Sequence, residues 1–193
     1  FDKSLWDFSE QFAGGKKSSL KIQCDTTLDS TGTNICYFNK TRKIVNAYKN
    51  KDVSGRLVRV KDCKKPSPLA QDAILAVNVP VIANVSNSSI GLAKNENLKI
   101  VEIDNETITF ERDRNGDLDV ITDLIENFHE HFLLGYCITV HKSQGQTIEG
   151  QVNIFDWHFI KKHDRIAYTA VTRATKFKNI HVSTEFFGNS KDV

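Results

Sequence analysis

The sequence of 193 residues contains no methionine at any position. Because a natural translation start supplies one, we expect the chain to be part of a longer protein. No apolar run approaches the roughly 20 residues that a membrane-spanning helix needs, and the first residues lack the features of a signal peptide. The four cysteines form no Cys-X-X-Cys pair, so we expect free thiols in a reducing intracellular compartment and no disulfide framework.

The chain also lacks a strong excess of either charge. Its 26 Lys and Arg residues and 24 Asp and Glu residues give a formal net charge of +2. This balance excludes a grossly basic nucleic-acid coat, although a local basic groove stays possible. A hydrophobic content of 39% is enough for a packed core, and the length suits one large or two small domains.

The periodicity of apolar residues predicts an α/β fold. Residues 1–19 are predicted to be an irregular lead-in whose aromatic side chains dock on a neighbouring surface. A strand at 33–39 followed by a helix at 40–50 is typical of a parallel α/β sheet. Further strands are predicted at 20–24, 56–60, 136–140, 151–156 and 179–184. A helix is predicted at 163–175, with Asp164 as its N-cap.

A second pattern interrupts the first. Residues 61–68 are predicted to be a loop, and residues 69–122 contain short strands separated by turns. Asn115 and Gly116 suit a tight hairpin turn, in which both central residues take positive φ. We therefore predict a small β-barrel-like module at 69–122, inserted into an α/β domain at 20–68 and 123–187, with a tail at 188–193.

Two common kinds of site are not supported. The segment AGGKKSS at 13–19 lacks the glycine spacing and the preceding strand of a phosphate-binding loop. Four possible zinc ligands occur close together in the sequence, namely His129, His131, Cys137 and His141. Their spacing fits no common zinc motif, and Cys137 falls within a predicted strand, so we predict no metal site.

The most informative stretch is GYCITVHKSQGQTIEGQVNIFD, at 135–156, where a polar turn separates two apolar segments. A predicted strand ends here in a turn leading to a short helix, at the edge of the sheet where ligands of α/β proteins bind. The turn offers groups that bond phosphates or bases, from Thr139, His141, Lys142, Ser143 and Gln144. Gly145 allows close approach of the backbone. An ordinary solvated loop is the alternative.

Several segments resemble the motifs of superfamily 1 DNA helicases of the RecD-like branch. ITVHKSQGQT (138–147) resembles motif V, AYTAVTRAT (167–175) resembles motif VI, and NICYFNKTRKIVN (34–46) resembles motif IV. Residues 69–122 are similar to the SH3-like module inserted in these enzymes. The resemblance covers about residues 20–187, and the motifs occur in the right order. No Walker A or Walker B segment is present, so the chain resembles only the second of two RecA-like motor lobes.

The resemblance implies roles for individual residues. Arg173 matches the arginine finger, which is the catalytic group supplied by this lobe. Gln144 and Gly145 match the part of motif V that faces ATP. The expected DNA-binding residues come from motifs IV and V: Asn39, Lys40, Thr139, His141, Lys142 and Ser143.

The same resemblance implies an ATP-dependent DNA helicase that unwinds duplex DNA with 5′-to-3′ polarity. The expected cofactors are ATP and Mg²⁺, the metal being held mainly by the N-terminal lobe. The expected partners are single-stranded DNA, duplex forks, that N-terminal lobe and replication proteins, with no membrane. Composition suggests a large DNA virus, and hence a nuclear or cytoplasmic location. The alternatives are a nucleic-acid-binding module or a partner-recruiting module without motor activity.

Overall fold

The computed structural model describes residues 2–114, 117–185 and 187. These residues form five α-helices and eleven β-strands, together with short 3-10 turns. The helices are α1 (Lys3–Glu10), α2 (Asn39–Asn50), α3 (Phe128–His131), α4 (Trp157–Ile160) and α5 (Asp164–Val171). The strands are β1 (Thr33–Cys36), β2 (Arg56–Val58), β3 (Ala73–Leu75), β4 (Pro80–Ala83), β5 (Asn97–Ile103), β6 (Thr107–Arg114), β7 (Asp117–Leu124), β8 (Phe132–Leu134), β9 (Cys137–Thr139), β10 (Val152–Ile154) and β11 (Ile180–Val182).

The chain divides into two compact units. Residues 1–45 and 137–193 form an α/β unit, and residues 46–136 form a β-rich unit. The β-rich unit is thus larger than the expected module at 69–122. The reason is strand pairing: β8 pairs with β4, with Leu133 opposite Ile82, and β2 pairs with β3. Residues on both sides of the expected module therefore belong to its sheets.

The α/β unit contains a four-stranded parallel sheet in the order β11-β10-β1-β9. Its strands are short and mostly buried, as parallel strands covered on both faces usually are. Ile35, Val152 and Ile154 have no exposed surface. Another part of the core joins Cys36 and Cys137 from adjacent strands with Val45 of α2. The α/β class predicted from the sequence is confirmed.

Residues 3–10 form helix α1, so the expectation of an irregular lead-in over residues 1–19 was wrong for this part. Asp2 caps α1, its Oδ1 accepting a hydrogen bond from the Leu5 N–H at 2.8 Å. The ring of Phe8 packs against Phe177, with 5.0 Å between centroids. The ring of Phe12 lies 6.1 Å from that of Trp157. The apolar residues of α1 thus recur at helical spacing and dock on the α/β unit.

The β-rich unit contains a five-stranded antiparallel sheet in the order β7-β6-β5-β4-β8. Its core is apolar and includes the fully buried Ile100, Ile108 and Phe110. Strands β6 and β7 pair as a hairpin from Thr107 opposite Leu124 to Arg114 opposite Asp117. The predicted Asn115–Gly116 turn lies outside the described residues. The SH3-like character of this unit stays a prediction.

Other local expectations are corrected or lie outside the described part. No strand forms at 20–24, where Gln23 makes a single parallel bridge to His181. Asp164 was expected to be the N-cap of α5 but is its first residue. The N-cap is His163, whose side chain makes no capping hydrogen bond. The Asp164 carboxylate stabilises the helix by lying at the positive end of the helix dipole. The tail at 188–193 lies outside the described residues. None of the helices among the described residues is long and apolar enough to cross a membrane.

Candidate functional site

The candidate site lies where the parallel strands of the α/β unit end. Strands β1 and β9 are neighbours in this sheet, and Cys36 lies opposite Thr139 in their register. The segments that follow them, 37–40 and 140–147, therefore leave the same edge of the sheet. This carboxyl edge is where open α/β sheets bind ligands, and it brings together the residues predicted from two separate parts of the sequence.

The turn after β9 is held by its own polar residues. The N–H groups of Lys142 and Ser143 donate to the Thr139 carbonyl at 2.9 and 3.0 Å. The Thr139 hydroxyl accepts from the Lys142 N–H at 3.3 Å. The Ser143 hydroxyl donates to the Val140 carbonyl at 2.9 Å, and Ser143 has no exposed surface. The Ser143 hydroxyl does not face solvent, in contrast to its expected contact with DNA, and Thr139 is also buried.

The outer part of the turn presents other groups to solvent. His141, Gln144 and Gly145 are exposed, and Lys142 is half-buried. Gly145 has a φ of +85°, a value that side chains other than glycine rarely tolerate. A Cβ at this position would meet no other atom within 4 Å. The glycine is therefore required by backbone conformation and leaves open space around the turn.

No helix follows this turn, so the expected short helix was wrong. Instead, Ile148 forms a parallel bridge with Ala174, and its N–H donates to the Arg173 carbonyl at 2.8 Å. This bond draws the segment after the turn towards the end of α5. Two segments predicted to face the same ligand are thus joined through the backbone.

The Arg173 side chain reinforces this junction. Its Nη1 donates to the carbonyls of Gln146 at 2.6 Å and Ser143 at 3.4 Å. Its Nε donates to the Thr169 carbonyl at 3.0 Å, and its Nη2 donates to the Thr172 hydroxyl at 3.2 Å. A guanidinium has five N–H donors, so these contacts with described residues leave one Nη2 proton for a further acceptor.

The electrostatic surroundings of Arg173 favour an anion. All its hydrogen-bond acceptors among the described residues are carbonyls or a hydroxyl, and no described carboxylate forms an ion pair with it. Partial burial lowers the pKa of Arg173 from its ordinary value, although its interaction with Tyr168 acts in the opposite direction. A half-buried cation without a carboxylate partner is well suited to bind phosphate.

The residues after β1 form the other side of this edge. Asn39 and Lys40 are exposed at the start of α2, and the Asn39 Oδ1 accepts from the Arg42 Nε at 3.2 Å. Tyr37 and Phe38 precede them, and the Tyr37 ring lies 5.7 Å from the His141 imidazole. The structure thus brings the residues expected to bind DNA from the two loops into one region.

Sequence analysis missed Asp156, a buried residue whose carboxylate holds the segment after β1 by hydrogen bonds. Its Oδ2 accepts from the N–H groups of Tyr37 and Phe38, both at 3.0 Å. Its Oδ1 accepts from the Thr41 hydroxyl at 2.8 Å, and Asp156 has no exposed surface. A carboxylate directly after the apolar run VNIF was the available signal, because such a residue falls at the carboxyl edge of a parallel sheet.

Two kinds of site were not supported by the sequence, namely a phosphate-binding loop at 13–19 and a zinc site, and the structure shows the surroundings of both segments. Residues 14–20 follow α1, with no strand before them, and the Gly15 N–H donates to the Glu10 carbonyl at 2.8 Å. His129 is buried in the β-rich unit, where desolvation lowers its pKa. Within residues 2–114, 117–185 and 187, no cluster of three or more His, Cys, Asp or Glu side chains could hold a metal ion.

Comparison with known proteins identifies the fold. No protein-family model matches the sequence, and no curated protein matches it. A solved structure of Bacteroides Pif1 bound to single-stranded DNA has a TM-score of 0.71 and 18% identity, covering 100% of this chain and 51% of that chain. The chain has the fold of about half of a Pif1 helicase.

Two further structures agree with this likeness. Bacteroides Pif1 helicase in complex with ADP-AlF3 and single-stranded DNA gives a TM-score of 0.64 at 17% identity, covering 96% of this chain and 49% of that chain. Pif1 helicase from Candida albicans gives a TM-score of 0.61 at 14% identity, covering 98% of this chain and 56% of that chain. The predicted RecA-like α/β fold is confirmed by these Pif1 structures. At such low identities the likeness establishes the fold alone.

The chain spans about half the length of the solved Pif1 chains that it matches. The match includes both the α/β unit and the β-rich unit, because it covers nearly the whole of this chain. The RecD-like branch and the SH3-like insert stay predictions from the sequence.

Proposed function

We propose that this chain is the second motor lobe of an ATP-dependent DNA helicase. The observation that carries the proposal is the turn at 139–146. One part of it bonds Arg173 through the Gln146 carbonyl, and another part presents His141 beside Tyr37. Such a turn would link a phosphate-binding group to a DNA-binding edge. The Pif1 fold supports this proposal, since two of the matched structures hold single-stranded DNA.

In this proposal Arg173 supplies positive charge to the terminal phosphate of ATP. Charge spreads over the transferring phosphoryl group in the transition state, so a nearby guanidinium lowers the barrier. Gln144 and Gly145 would contribute exposed side-chain and backbone groups beside the nucleotide. ATP carries the group that is transferred. By resemblance, Mg²⁺ would be held mainly by the other lobe.

The DNA-facing groups would be His141, Lys142, Asn39 and Lys40. Their imidazole, ammonium and amide groups can bond backbone phosphates, which favours binding without sequence preference. Thr139 would act indirectly, by holding the turn. If hydrolysis shifted the Gln146 and Ser143 carbonyls relative to Arg173, the turn would move at its DNA-facing part as well. By resemblance, translocation would run 5′ to 3′ towards a fork, and residues 69–122 would form the SH3-like insert.

The decisive experiment is steady-state ATP hydrolysis with single-stranded DNA, on the longest natural chain that contains this segment. We expect Arg173→Ala to lower the rate by about 10³-fold to 10⁵-fold. Arg165→Ala is the matched control, because Arg165 is an exposed arginine of α5, the helix that ends just before Arg173. The rate of this variant should be unchanged. Melting temperature and DNA affinity are measured in parallel, so that loss of the bonds to the turn is distinguished from loss of catalysis.

Either of two results would contradict the proposal. Unchanged hydrolysis in Arg173→Ala would remove this residue from catalysis. Hydrolysis by the 193-residue chain alone, abolished by the same substitution, would show that a second lobe is not needed. Binding of single strands without any hydrolysis in the longest chain would favour a nucleic-acid-binding module without motor activity.

A further inference from the structure

Five ring-bearing side chains gather at the carboxyl edge of the parallel sheet. Phe159 is at the centre, with ring centroids 4.6 Å from Tyr37, 4.9 Å from Phe38 and 4.4 Å from His163. Tyr37 also lies 5.7 Å from His141. These residues follow three adjacent strands, because Tyr37 and Phe38 come after β1, His141 after β9, and Phe159 and His163 after β10. We call these five residues the aromatic edge.

The aromatic edge is not part of the closed core. Tyr37, Phe38 and Phe159 are half-buried, and His141 and His163 are exposed. By contrast, Phe155 of the same unit has no exposed surface. A cluster whose outer rings face solvent at a ligand-binding edge can offer ring surface to another planar group.

Positive charge borders the aromatic edge on each of its segments. Lys40 follows Phe38 by two positions, Lys142 follows His141, and Lys161 and Lys162 lie between Phe159 and His163. Lys40, Lys161 and Lys162 are exposed. None of these three forms an ion pair with a described residue. Ring surface interleaved with lysines is the combination that binds single-stranded nucleic acid, with bases on rings and phosphates on cations.

The backbone of the aromatic edge is held by hydrogen bonds. Asp156 bonds the N–H groups of both Tyr37 and Phe38. The N–H groups of Lys162 and His163 donate to the carbonyls of Phe159 and Ile160, each at 3.0 Å. Because both ring-bearing segments are fixed before any ligand arrives, little ordering is needed to stack a base on them.

We propose that the aromatic edge stacks unpaired bases of a single strand whose phosphates lie on the flanking lysines. The inference rests on the proposed function and extends it, since that function requires only contacts with the DNA backbone. Bases within a duplex already stack on each other, so the edge would select unpaired nucleotides. Any base has a flat face, so stacking would add affinity without strong sequence preference.

The test compares the affinity of the protein for two probes of equal length and charge. One is a short oligothymidine, and the other is an abasic strand with the same phosphates. We expect the wild type to bind oligothymidine about 5-fold to 100-fold more tightly, which corresponds to stacking of one base. The double substitution Tyr37→Leu with His163→Ala should abolish this preference but leave the abasic strand bound.

Three further variants separate stacking from structure. His163→Ala alone removes only an exposed ring, so it should fold normally and reduce the preference. Tyr37→Phe keeps the ring and should retain the preference. Phe177→Leu removes a half-buried ring that packs on Phe8 outside the aromatic edge, and it should not change the ratio of the two affinities.

The outcomes distinguish this inference from the function on which it rests. Equal affinity of the wild type for both strands would overturn base stacking while leaving phosphate binding intact. A preference that persists in the double variant would overturn the assignment of base stacking to Tyr37 and His163. Failure to bind either strand would contradict both the aromatic edge and the DNA-binding part of the proposed function, whereas the effect of Arg173→Ala on ATP hydrolysis tests the motor separately.

Discussion

The hydroxyl groups of Thr139 and Ser143, in the turn after β9, could bind a ligand by residue type, but in the structure they stabilise the turn itself. Ser143 donates to the Val140 carbonyl and is fully buried. Thr139 accepts the Lys142 N–H within the same turn. Their neighbours His141 and Gln144 are exposed. The hydroxyls thus fix the backbone that presents the exposed groups.

Ser143→Ala is expected to reduce stability, because it leaves the Val140 carbonyl without the Ser143 donor. The expected loss in the free energy of unfolding is about 1 to 2 kcal/mol, or a fall in melting temperature of roughly 2–8 °C for a chain of this size. Ser143→Thr, which keeps a hydroxyl, is the comparison variant. If Ser143→Ala instead kept full stability and weakened DNA binding, the sequence-based assignment of Ser143 to DNA would be correct.

The residue types around Arg173 were predictable from the sequence, but their hydrogen bonds were not. The resemblance of AYTAVTRAT (167–175) to motif VI implied an arginine that contacts phosphate. Its bonds to the Gln146 and Ser143 carbonyls depend on how two distant loops meet, which no local pattern encodes. The same reason explains why Asp156 escaped notice: its donors lie more than a hundred positions earlier in the chain.

Among the elements, the junction between β1 and α2 depends most on a single side chain. The Asp156 carboxylate accepts three hydrogen bonds there and has no exposed surface. Its φ of +60° is a conformation that Asp and Asn tolerate better than most residues.

Asp156→Ala should therefore be strongly destabilising, since three donors lose their acceptor and alanine is strained at this φ. We expect a loss of about 3 kcal/mol or more in the free energy of unfolding, measured by urea denaturation. Asp156→Asn keeps one acceptor and the tolerated conformation, so its loss should be smaller. Asp52→Ala is the control, because that carboxylate is exposed and its ion pair with Lys51 is a surface contact. Equal losses in Asp156→Ala and Asp52→Ala would refute this account.

Strands and helices differed in how well the sequence predicted them. Strands β1 and β10 were predicted closely, at 33–39 and 151–156, where the structure has Thr33–Cys36 and Val152–Ile154. Strand β8 was missed, because three apolar residues are too few for a periodicity and its partner β4 is distant in sequence. Helix α1 was also missed, although Leu5, Phe8 and Phe12 have helical spacing and Asp2 supplies a cap. Both signals favour a helix at this position.

For the whole molecule, a net charge of +2 means that binding of nucleic acid must depend on local charge. We expect the affinity for single-stranded DNA to fall with salt, with a slope in log–log form of about −0.7 for each phosphate neutralised. Lys161→Gln with Lys162→Gln should therefore make the slope less steep by about 1.4. The measurement is a titration at several salt concentrations.

The control is Lys64→Gln with Lys65→Gln, which removes the same charge from exposed positions of the β-rich unit. It should leave the slope unchanged if binding is confined to the α/β unit. An equal change in both double variants would mean that total charge governs binding, and that the lysines beside Phe159 have no special part in it.

The order of strands in the parallel sheet also constrains how the protein can form during synthesis. Strand β1 lies between β9 and β10, and both are made only after the entire β-rich unit has emerged. The hairpins of that unit pair strands close in sequence and can form early, whereas pairing of distant strands is slow. Hairpins of the β-rich unit can therefore form while β1 has no strand partner. During this interval the unpaired β1 is open to aggregation or to binding by a chaperone.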